Sequence, residues 1–222
     1  MNVLVIDIGG THVKYLVSGQ SERRKFDSGP DLTPEQVVEG VLAGCQDWAF
    51  EAVTLAYPGA VVDNRVVAEP HNLGVGWMDF DFGASFGCPV KLVNDAAAQA
   101  LGSYQGGRLL FLGLGTGLGS TLVLPEVIVS LELAHLPYRK ATFEDYVGLR
   151  GLEKQGKKKW RKRVTDVVQR LRSAFLPDDI VLGGGNVKEL KTLPDGCRTG
   201  ENANAFLGGF RLWETSGVPR LS

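Results

Sequence analysis

The stretches VLVIDIGGTHVKYLV at residues 3–17 and LLFLGLGTGLGSTLVL at residues 109–124 share one pattern. Each begins with a run of apolar, partly β-branched residues, which predicts a buried strand. Glycines and a threonine then break the run, and a second apolar strand follows. This order predicts a hairpin with a glycine-rich turn. Two such hairpins, about 105 residues apart, indicate an internal duplication into two lobes.

Strand and helix patterns alternate along the rest of the chain. Short apolar runs predict strands at 52–56, 61–62, 66–67, 90–93 and 180–182. Helical spacing of apolar residues, or an alanine-rich composition, predicts helices at 34–48, 96–104, 158–175 and 203–213. The tail after Glu214 is expected to be loosely ordered. The alternation indicates an α/β fold with one core sheet in each lobe.

Composition excludes several classes of protein. Of the 222 residues, 44% are hydrophobic and 22% are charged, and the net charge is −1. The chain therefore has no general affinity for nucleic acid or for an anionic membrane. Its three cysteines lie far apart, so neither a disulfide framework nor a cysteine-based zinc site is expected. There is no secretory signal pattern, and the longest apolar stretch is too short and too charged to span a bilayer. These features favour a cytoplasmic protein.

The glycine turns are candidate phosphate sites. Asp7 ends a buried strand directly before Gly9, Gly10 and Thr11. Glycine backbone amides can cradle a phosphate, and a carboxylate suits the accompanying Mg²⁺. A plain hairpin in which Asp7 caps the turn is the alternative. The second turn, residues 113–119, offers the same chemistry, and a pair of turns could grip a phosphate chain between the lobes. The run 183–185 permits close approach to a flat ligand, but on its own it favours a simple turn after a strand.

Three further groups of polar residues allow two interpretations each. Asn94 and Asp95 lie where a strand meets a helix, so a helix cap is favoured over a general base. Glu132 and His135 are three residues apart, and without a third ligand nearby they suit sugar hydroxyls or a surface pair better than metal. Seven lysines and arginines within residues 154–163 form either a solvated helix face or an anion site.

Seven motifs occur in the order found in the ROK family, the sugar kinases of the actin-like, two-lobed ATPase superfamily, and the chain resembles that family over nearly its whole length. The motifs are Asp7-Ile-Gly-Gly-Thr11 with Lys14, Tyr57-Pro-Gly59, His71-Asn72-Leu73-Gly-Val-Gly-Trp77, Val93-Asn94-Asp95-Ala96, Leu112–Gly119, Glu132-Leu-Ala-His135 with Phe143-Glu144-Asp-Tyr146, and Val181–Gly185. The resemblance implies a two-lobed, actin-like (ribonuclease H-like) ATPase fold. It also implies lobes over 1–105 and 106–202, with a C-terminal segment over 203–222 that packs back on the first lobe.

Two departures from the family pattern refine the resemblance. The cysteine-rich zinc loop of many ROK members is absent between His135 and Glu144, so structural zinc is not implied. The branch without that loop is the polyphosphate/ATP glucokinase type, and the similarity extends to Gly156–Trp160. Ala134 stands where the family has glycine, which puts the local turn in question.

The resemblance implies a glucokinase-like activity, the transfer of a phosphoryl group from polyphosphate or ATP to the 6-hydroxyl of glucose. Asp95 would be the general base, and Asp7 would hold Mg²⁺ directly or through water. The residues implied to hold the sugar are Gly59, Asn72, Asn94, Glu132, His135 and Glu144. Those implied to hold phosphate or nucleotide are Gly9, Gly10, Thr11, Lys14, Gly115, Thr116, Gly117, Gly183, Gly184 and Gly185. The alternatives are another hexose or amino sugar as substrate, or a non-catalytic sugar sensor. The family also suggests a homodimer.

Overall fold

Five strands near the N-terminus form one mixed sheet. The computed structural model describes residues 1–70, 72–201, 203–214 and 219–221. The strands are β1 (Val3–Ile8), β2 (His12–Val17), β3 (Arg24–Asp27), β4 (Ala52–Tyr57) and β7 (Val90–Asn94), and the two-stranded pair β5 (Val61–Val62) and β6 (Arg65–Val66) lies apart. The order across the sheet is β3-β2-β1-β4-β7. Strand β1 is antiparallel to β2 and parallel to β4, and β4 is parallel to β7.

The second sheet repeats the order of the first. Its strands are β8 (Leu109–Leu114), β9 (Leu118–Val123), β10 (Val127–Leu131), β13 (Asp179–Gly183), β14 (Cys197–Thr199) and β15 (Arg220–Leu221). The order β10-β9-β8-β13-β14 has the same three antiparallel strands followed by two parallel ones. The duplication and the α/β class predicted from the two glycine hairpins are therefore confirmed.

Seven α-helices accompany the sheets in the described part of the chain. They are α1 (Pro34–Gly44), α2 (Phe82–Phe86), α3 (Asp95–Ser103), α4 (Phe143–Val147), α5 (Leu149–Gln155), α6 (Lys157–Phe175) and α7 (Asn204–Arg211). Helix α6 buries the predicted stripe of Trp160, Val164, Val167, Val168 and Leu171. The Trp160 indole Nε1 donates to the Val147 carbonyl at 2.8 Å, which ties α6 to α4.

Helices α3 and α7 cross between the two sheets at very short range. A Cβ added at Gly208 would collide with the Ala98 carbonyl, and one added at Gly102 would collide with the backbone of Asn204. Because glycine has no side chain, the two backbones can approach this closely. On its other side, α7 packs on the first sheet: the buried Thr54 hydroxyl donates to the Gly209 carbonyl at 2.8 Å.

The predicted end of one helix was wrong. The helix predicted over 34–48 ends at Gly44, whose carbonyl accepts from the Arg24 side chain at 2.6 Å. The tail after Glu214 was expected to be loose; residues 215–218 and 222 lie outside the described residues, and within the described part Arg220–Leu221 pairs in parallel with Val127–Ile128 as an edge strand. Within the parts of the chain that the structure describes, no helix has the length and apolar character needed to cross a membrane.

The α3–α7 crossing makes a stability prediction. Replacing Gly208 with alanine places a methyl group against the Ala98 carbonyl, and this overpacking should lower the free energy of unfolding by about 2 kcal/mol. Urea denaturation followed by tryptophan fluorescence measures the change. The matched control is Gly29→Ala, where an added Cβ meets open space and should change stability by less than about 0.5 kcal/mol. Equal stability of the two variants would contradict the crossing.

Candidate active site

Two carboxylates lie at one edge of the first sheet. Strands β1, β4 and β7 are parallel, so their carboxyl ends meet, which brings Asp7 and Asn94 to the same edge. Asp95 follows Asn94 as the first residue of α3. Burial, and then the charge of Asp7, raise the pKa of Asp95 to about 7, and Glu132 from the second lobe adds to the effect. Strongly perturbed carboxylates of this kind are typical of functional sites.

Asp7 is held by a neighbouring lysine. Lys14 lies directly across from it on β2, and the Lys14 Nζ is 3.5 Å from the Asp7 Oδ2. Burial raises the pKa of Asp7, and the Lys14 charge opposes that rise. Among the described residues, no group of three or more His, Cys, Asp or Glu side chains is arranged to hold a metal ion. Mg²⁺ in phosphotransferases usually uses one or two carboxylates together with phosphates and water, so a lone Asp7 beside a glycine turn fits that ion.

Asn94 caps α3, as its sequence position favours. Its side-chain oxygen accepts from the backbone N–H of Ala96 at 2.9 Å and of Ala97 at 3.3 Å. Its amide nitrogen donates to the Gly59 carbonyl at 3.0 Å. Both ends of the side chain therefore have backbone partners, and Asn94 joins the loop after β4 to the start of α3. Asp95 accepts from the Ala96 N–H at 2.8 Å, so its carboxylate is held at the N-terminus of the helix.

The first glycine turn faces a loop of the same lobe. The Gly9 N–H donates to the His12 carbonyl at 3.0 Å, and Thr11 accepts from the Ser28 N–H at 2.9 Å. A Cβ added at Gly10 would come within 3.8 Å of the Asn72 Cβ. Asn72 therefore lies beside the turn. His71, its neighbour in the motif, lies outside the described residues.

The second glycine turn is joined to several elements of its own lobe. The Asn186 side chain donates to the Gly115 carbonyl at 2.8 Å, and the Leu149 N–H, at the start of α5, donates to the Thr116 carbonyl at 3.1 Å. The Glu144 carboxylate lies so close to Gly117 that a Cβ there would collide with it. The absence of a side chain at Gly117 lets the Glu144 carboxylate take this position. Glu144 from α4 is thus brought to the second phosphate motif.

Glu132 precedes a short 3-10 helix, Leu133–His135, and His135 ends it. The His135 Nε2 lies 3.6 Å from the Glu132 Oε2, and both side chains are more than half exposed. Ala134, where the family has glycine, is buried within that helix. The Leu133 N–H donates to the Ser120 hydroxyl at 3.2 Å, which fixes the segment to β9. Glu132 is thereby close enough to Asp95 for their charges to interact.

A cleft of about 540 Å³ opens beside the second glycine turn. Gly184 and Gly185 line it, whereas Gly183 is buried in β13, where a Cβ would collide with the Phe111 ring. Gly184 has φ of 85°, a conformation that favours glycine. Sequence reasoning missed the other lining residues, which are Val187, Lys188, Leu190, Lys191, Leu193, Thr199 and Gly200. They come from a single 3-10 turn, the end of the short strand β14 and the loops between them, which are too short to carry a periodic signal.

The basic run, residues 154–163, lies beside one wall of this cleft. Lys157 forms an ion pair of 2.5 Å with Glu189, and the Arg161 Nε donates to the Glu189 carbonyl at 2.6 Å. Glu189 ends a 3-10 helix, Val187–Glu189, that contributes to the cleft wall. Lys154, Lys158, Lys159 and Lys162 are exposed. The run is therefore partly structural and partly free to meet an anion.

The two sheets have the same strand order, each carries a glycine turn, and two carboxylates lie at the edge of the first sheet. This arrangement is that of the two-lobed α/β class of actin-like kinases. The ROK family model matches residues 3–129, so the chain belongs to the ROK family. It is 28% identical over 202 residues to a polyphosphate glucokinase of Mycobacterium tuberculosis, covering 81% of this chain and 76% of that one.

Solved structures share the fold. The inorganic polyphosphate/ATP-glucomannokinase of Arthrobacter sp. strain KM superposes with a TM-score of 0.80 at 24% identity, covering 94% of this chain and 96% of that one. A ROK glucokinase of Streptomyces griseus, in complex with glucose and AMPPNP, gives 0.75 at 18% identity over 94% and 98% of the chains.

The raised pKa of Asp95 predicts a pH-dependent stability. Between about pH 4 and pH 7 the folded state binds a proton that the unfolded state releases, so the free energy of unfolding falls as pH rises through this range. Asp95→Asn removes the titrating group. Because the pKa of Asp95 rises from an ordinary value of 3.8 to about 7, the variant should be more stable than the wild type by about 4 kcal/mol at pH 8 and should match it near pH 4.

Urea unfolding in chelator at pH 4, 6 and 8 measures this difference. Asp79→Asn, which replaces an exposed aspartate, is the matched control and should show no such pH trend. If Asp95→Asn is less stable than the wild type at pH 8, burial of the charged carboxylate is not what shifts its pKa.

Proposed function

We propose that this chain is a sugar kinase that transfers a phosphoryl group from ATP or polyphosphate to the 6-hydroxyl of glucose. The observation that carries the proposal is Asp95, a carboxylate with a pKa near 7 that interacts with charges from both lobes. A general base is most effective when its pKa lies near the working pH. The polyphosphate glucokinase and glucokinase names of its relatives support glucose as the acceptor.

In this mechanism Asp95 accepts the proton of the sugar hydroxyl as its oxygen attacks the terminal phosphoryl group. The transition state of phosphoryl transfer is loose, so catalysis depends mainly on positioning and charge neutralisation. In this proposal the turns at 9–11 and 115–117 cradle the phosphate oxygens through amides other than those of Gly9 and Gly115, which already donate to backbone carbonyls, and Lys14 adds positive charge beside Asp7. Mg²⁺, when bound at Asp7, would neutralise the phosphate charge.

Sugar recognition is assigned to polar side chains from both lobes. Asn72 approaches from the first lobe, and Glu132, His135 and Glu144 from the second. A sugar that lacks one hydroxyl would cover one of these side chains without pairing it, which discriminates against that sugar. Asn94 contributes by holding Gly59 and the start of α3, because its side chain is already bonded to the backbone.

Two features support two phosphoryl donors. The cleft beside Gly184 and Gly185 combines apolar walls with Lys188 and Lys191, which suits the adenosine part of ATP and its phosphates. The ion pair between Lys157 and Glu189 brings the exposed lysines of α6 next to that cleft. A group of positive charges beside the cleft suits a long polyanion. The name of the Arthrobacter enzyme includes both donors.

A coupled assay for glucose 6-phosphate, with Mg²⁺ and either donor, tests the activity itself. Product with either donor supports the proposal and identifies the donor. Glucose binding by calorimetry without any product would instead indicate a sugar sensor. If glucose does not bind, glucose is not the acceptor, and other hexoses and amino sugars are the next substrates to assay.

Replacing Asp95 with asparagine should reduce kcat at least 100-fold, because the sugar hydroxyl loses its proton acceptor. Glucose affinity, measured by calorimetry, should change little, since Asn94 still caps the helix. A thermal melt checks that the variant folds. Retention of more than about a tenth of wild-type turnover would contradict the assignment of Asp95 as the base.

The exposed lysines predict a donor-specific effect. The variant Lys158→Gln/Lys159→Gln should raise the KM for polyphosphate about tenfold and leave the KM for ATP within twofold. Its polyphosphate KM should also depend less steeply on salt. The matched variant Lys188→Gln/Lys191→Gln changes the cleft instead and should raise the KM for ATP. If the first variant changes the KM for both donors equally, or changes neither, the basic run 154–163 is only a solvated helix face.

A further inference from the structure

The segment 136–142 joins the two groups of sugar-side residues. It begins after the 3-10 helix that carries His135 and ends where α4 begins, one residue before Glu144. Its strands β11 (Pro137–Tyr138) and β12 (Ala141–Thr142) form a small antiparallel hairpin. The Phe143 N–H donates to the Leu136 carbonyl at 3.0 Å, which closes the hairpin at its base. Its orientation therefore determines how Glu132 and His135 lie relative to Glu144.

One buried tyrosine attaches this hairpin to α6. Tyr138 is only 4% exposed, and its hydroxyl donates to the Asp166 Oδ2 at 2.5 Å. Its ring packs against Phe143 at 5.3 Å and edge-on against Tyr146 at 5.1 Å, both residues of α4. The hydroxyl bond thus links the hairpin to α6, while the ring contacts link it to the helix that carries Glu144.

Charged groups complete the attachment. The Arg170 Nε is 3.3 Å from the Asp166 Oδ1, and the Arg139 and Arg170 guanidinium groups lie 5.4 and 5.6 Å from the centre of the Tyr138 ring. The Tyr138 hydroxyl bond is the main cause that lowers the pKa of Asp166, so the carboxylate stays charged. Arg139 has φ of 60°, which costs energy for a residue with a side chain. Such a conformation persists where the surroundings determine it.

We propose that Tyr138 is a positioning residue for sugar binding: through Asp166 it holds the hairpin that sets Glu132 and His135 against Glu144. This inference rests on the sugar kinase function proposed above. Within the described part of the chain, the side-chain contacts of Tyr138 go to Arg139, α4 and α6 rather than to either glycine turn. Its effect should therefore fall on sugar affinity, while donor affinity and the chemical step stay unchanged.

The substitution Tyr138→Phe removes only the hydroxyl and keeps the ring packing. It should weaken glucose binding about tenfold in calorimetry, equivalent to about 1.4 kcal/mol. The KM for the donor and kcat at saturating sugar should remain within twofold of the wild type. Tyr104→Phe is the matched control, because it removes a hydroxyl that donates to the Gly107 carbonyl at 3.1 Å in another part of the fold.

Variants at Asp166 separate positioning from mere stability. Asp166→Asn keeps an oxygen that can accept from Tyr138 and should retain glucose affinity within threefold. Asp166→Leu should weaken glucose binding about tenfold, as Tyr138→Phe does. The double variant Tyr138→Phe/Asp166→Leu should lose no more glucose affinity than either single variant, since both changes break the same interaction.

Three results would overturn the inference: unchanged glucose affinity in Tyr138→Phe, a loss shared equally by sugar and donor, or additive losses in the double variant. Unchanged glucose affinity in Tyr138→Phe overturns the inference even if the variant has a lower melting temperature. If the wild-type protein binds no hexose or amino sugar, the proposed function falls and the inference falls with it. If the wild type binds sugar while Tyr138→Phe binds equally well, only the inference fails.

Discussion

The crossing of α3 and α7 is the contact on which the two-lobed arrangement depends. Helix α3 starts at the edge of the first sheet and packs against β8 and β9 of the second, while α7 packs against β1 and β4 of the first. Glycines at 102 and 208 let the two helices approach backbone to backbone. Because Asp95 is the first residue of α3, the same crossing fixes the buried carboxylate relative to both glycine turns. A Cβ on Gly119 would lie only 3.0 Å from the Ala96 Cβ, which shows how closely the second turn meets the start of this helix.

This arrangement destabilises the folded protein mainly at its carboxylates. Asp95 is desolvated and faces the charges of Asp7 and Glu132, so its ionised form is destabilised in the folded protein. Lys14 compensates only Asp7. Natural structures tolerate such local destabilisation where the surrounding fold determines the geometry, and functional sites are where it is commonly found. A bound phosphate and its metal ion would change these charges, so binding of the ligands should change the free energy of unfolding.

Sequence patterns predicted those elements whose signal is local. The two glycine hairpins and the stripe on α6 were readable because apolar periodicity and turn residues coincide. Strand β3, with the sequence RKFD, has three charged residues out of four and was missed, since it is an edge strand fixed by pairing with β2. The strand β15, which pairs with β10, has only two residues, too few for a side-chain pattern to reveal it. The motifs predicted Asp95 and Glu144, but the cleft beside Gly184 depends on loops whose meeting is a tertiary property.

The run of basic residues at the start of helix α6 can be interpreted only with the structure. Lys157 and Asp166 are nine residues apart, and at 100° per residue this places them on opposite sides of the helix. On one side, Lys157 and Arg161 bind Glu189 beside the donor cleft; on the other, Asp166 binds Tyr138 beside the sugar-side hairpin. The buried stripe between them is anchored by Trp160 to α4. One helix therefore supports both halves of the candidate site, while Lys158, Lys159 and Lys162 on the same helix are exposed.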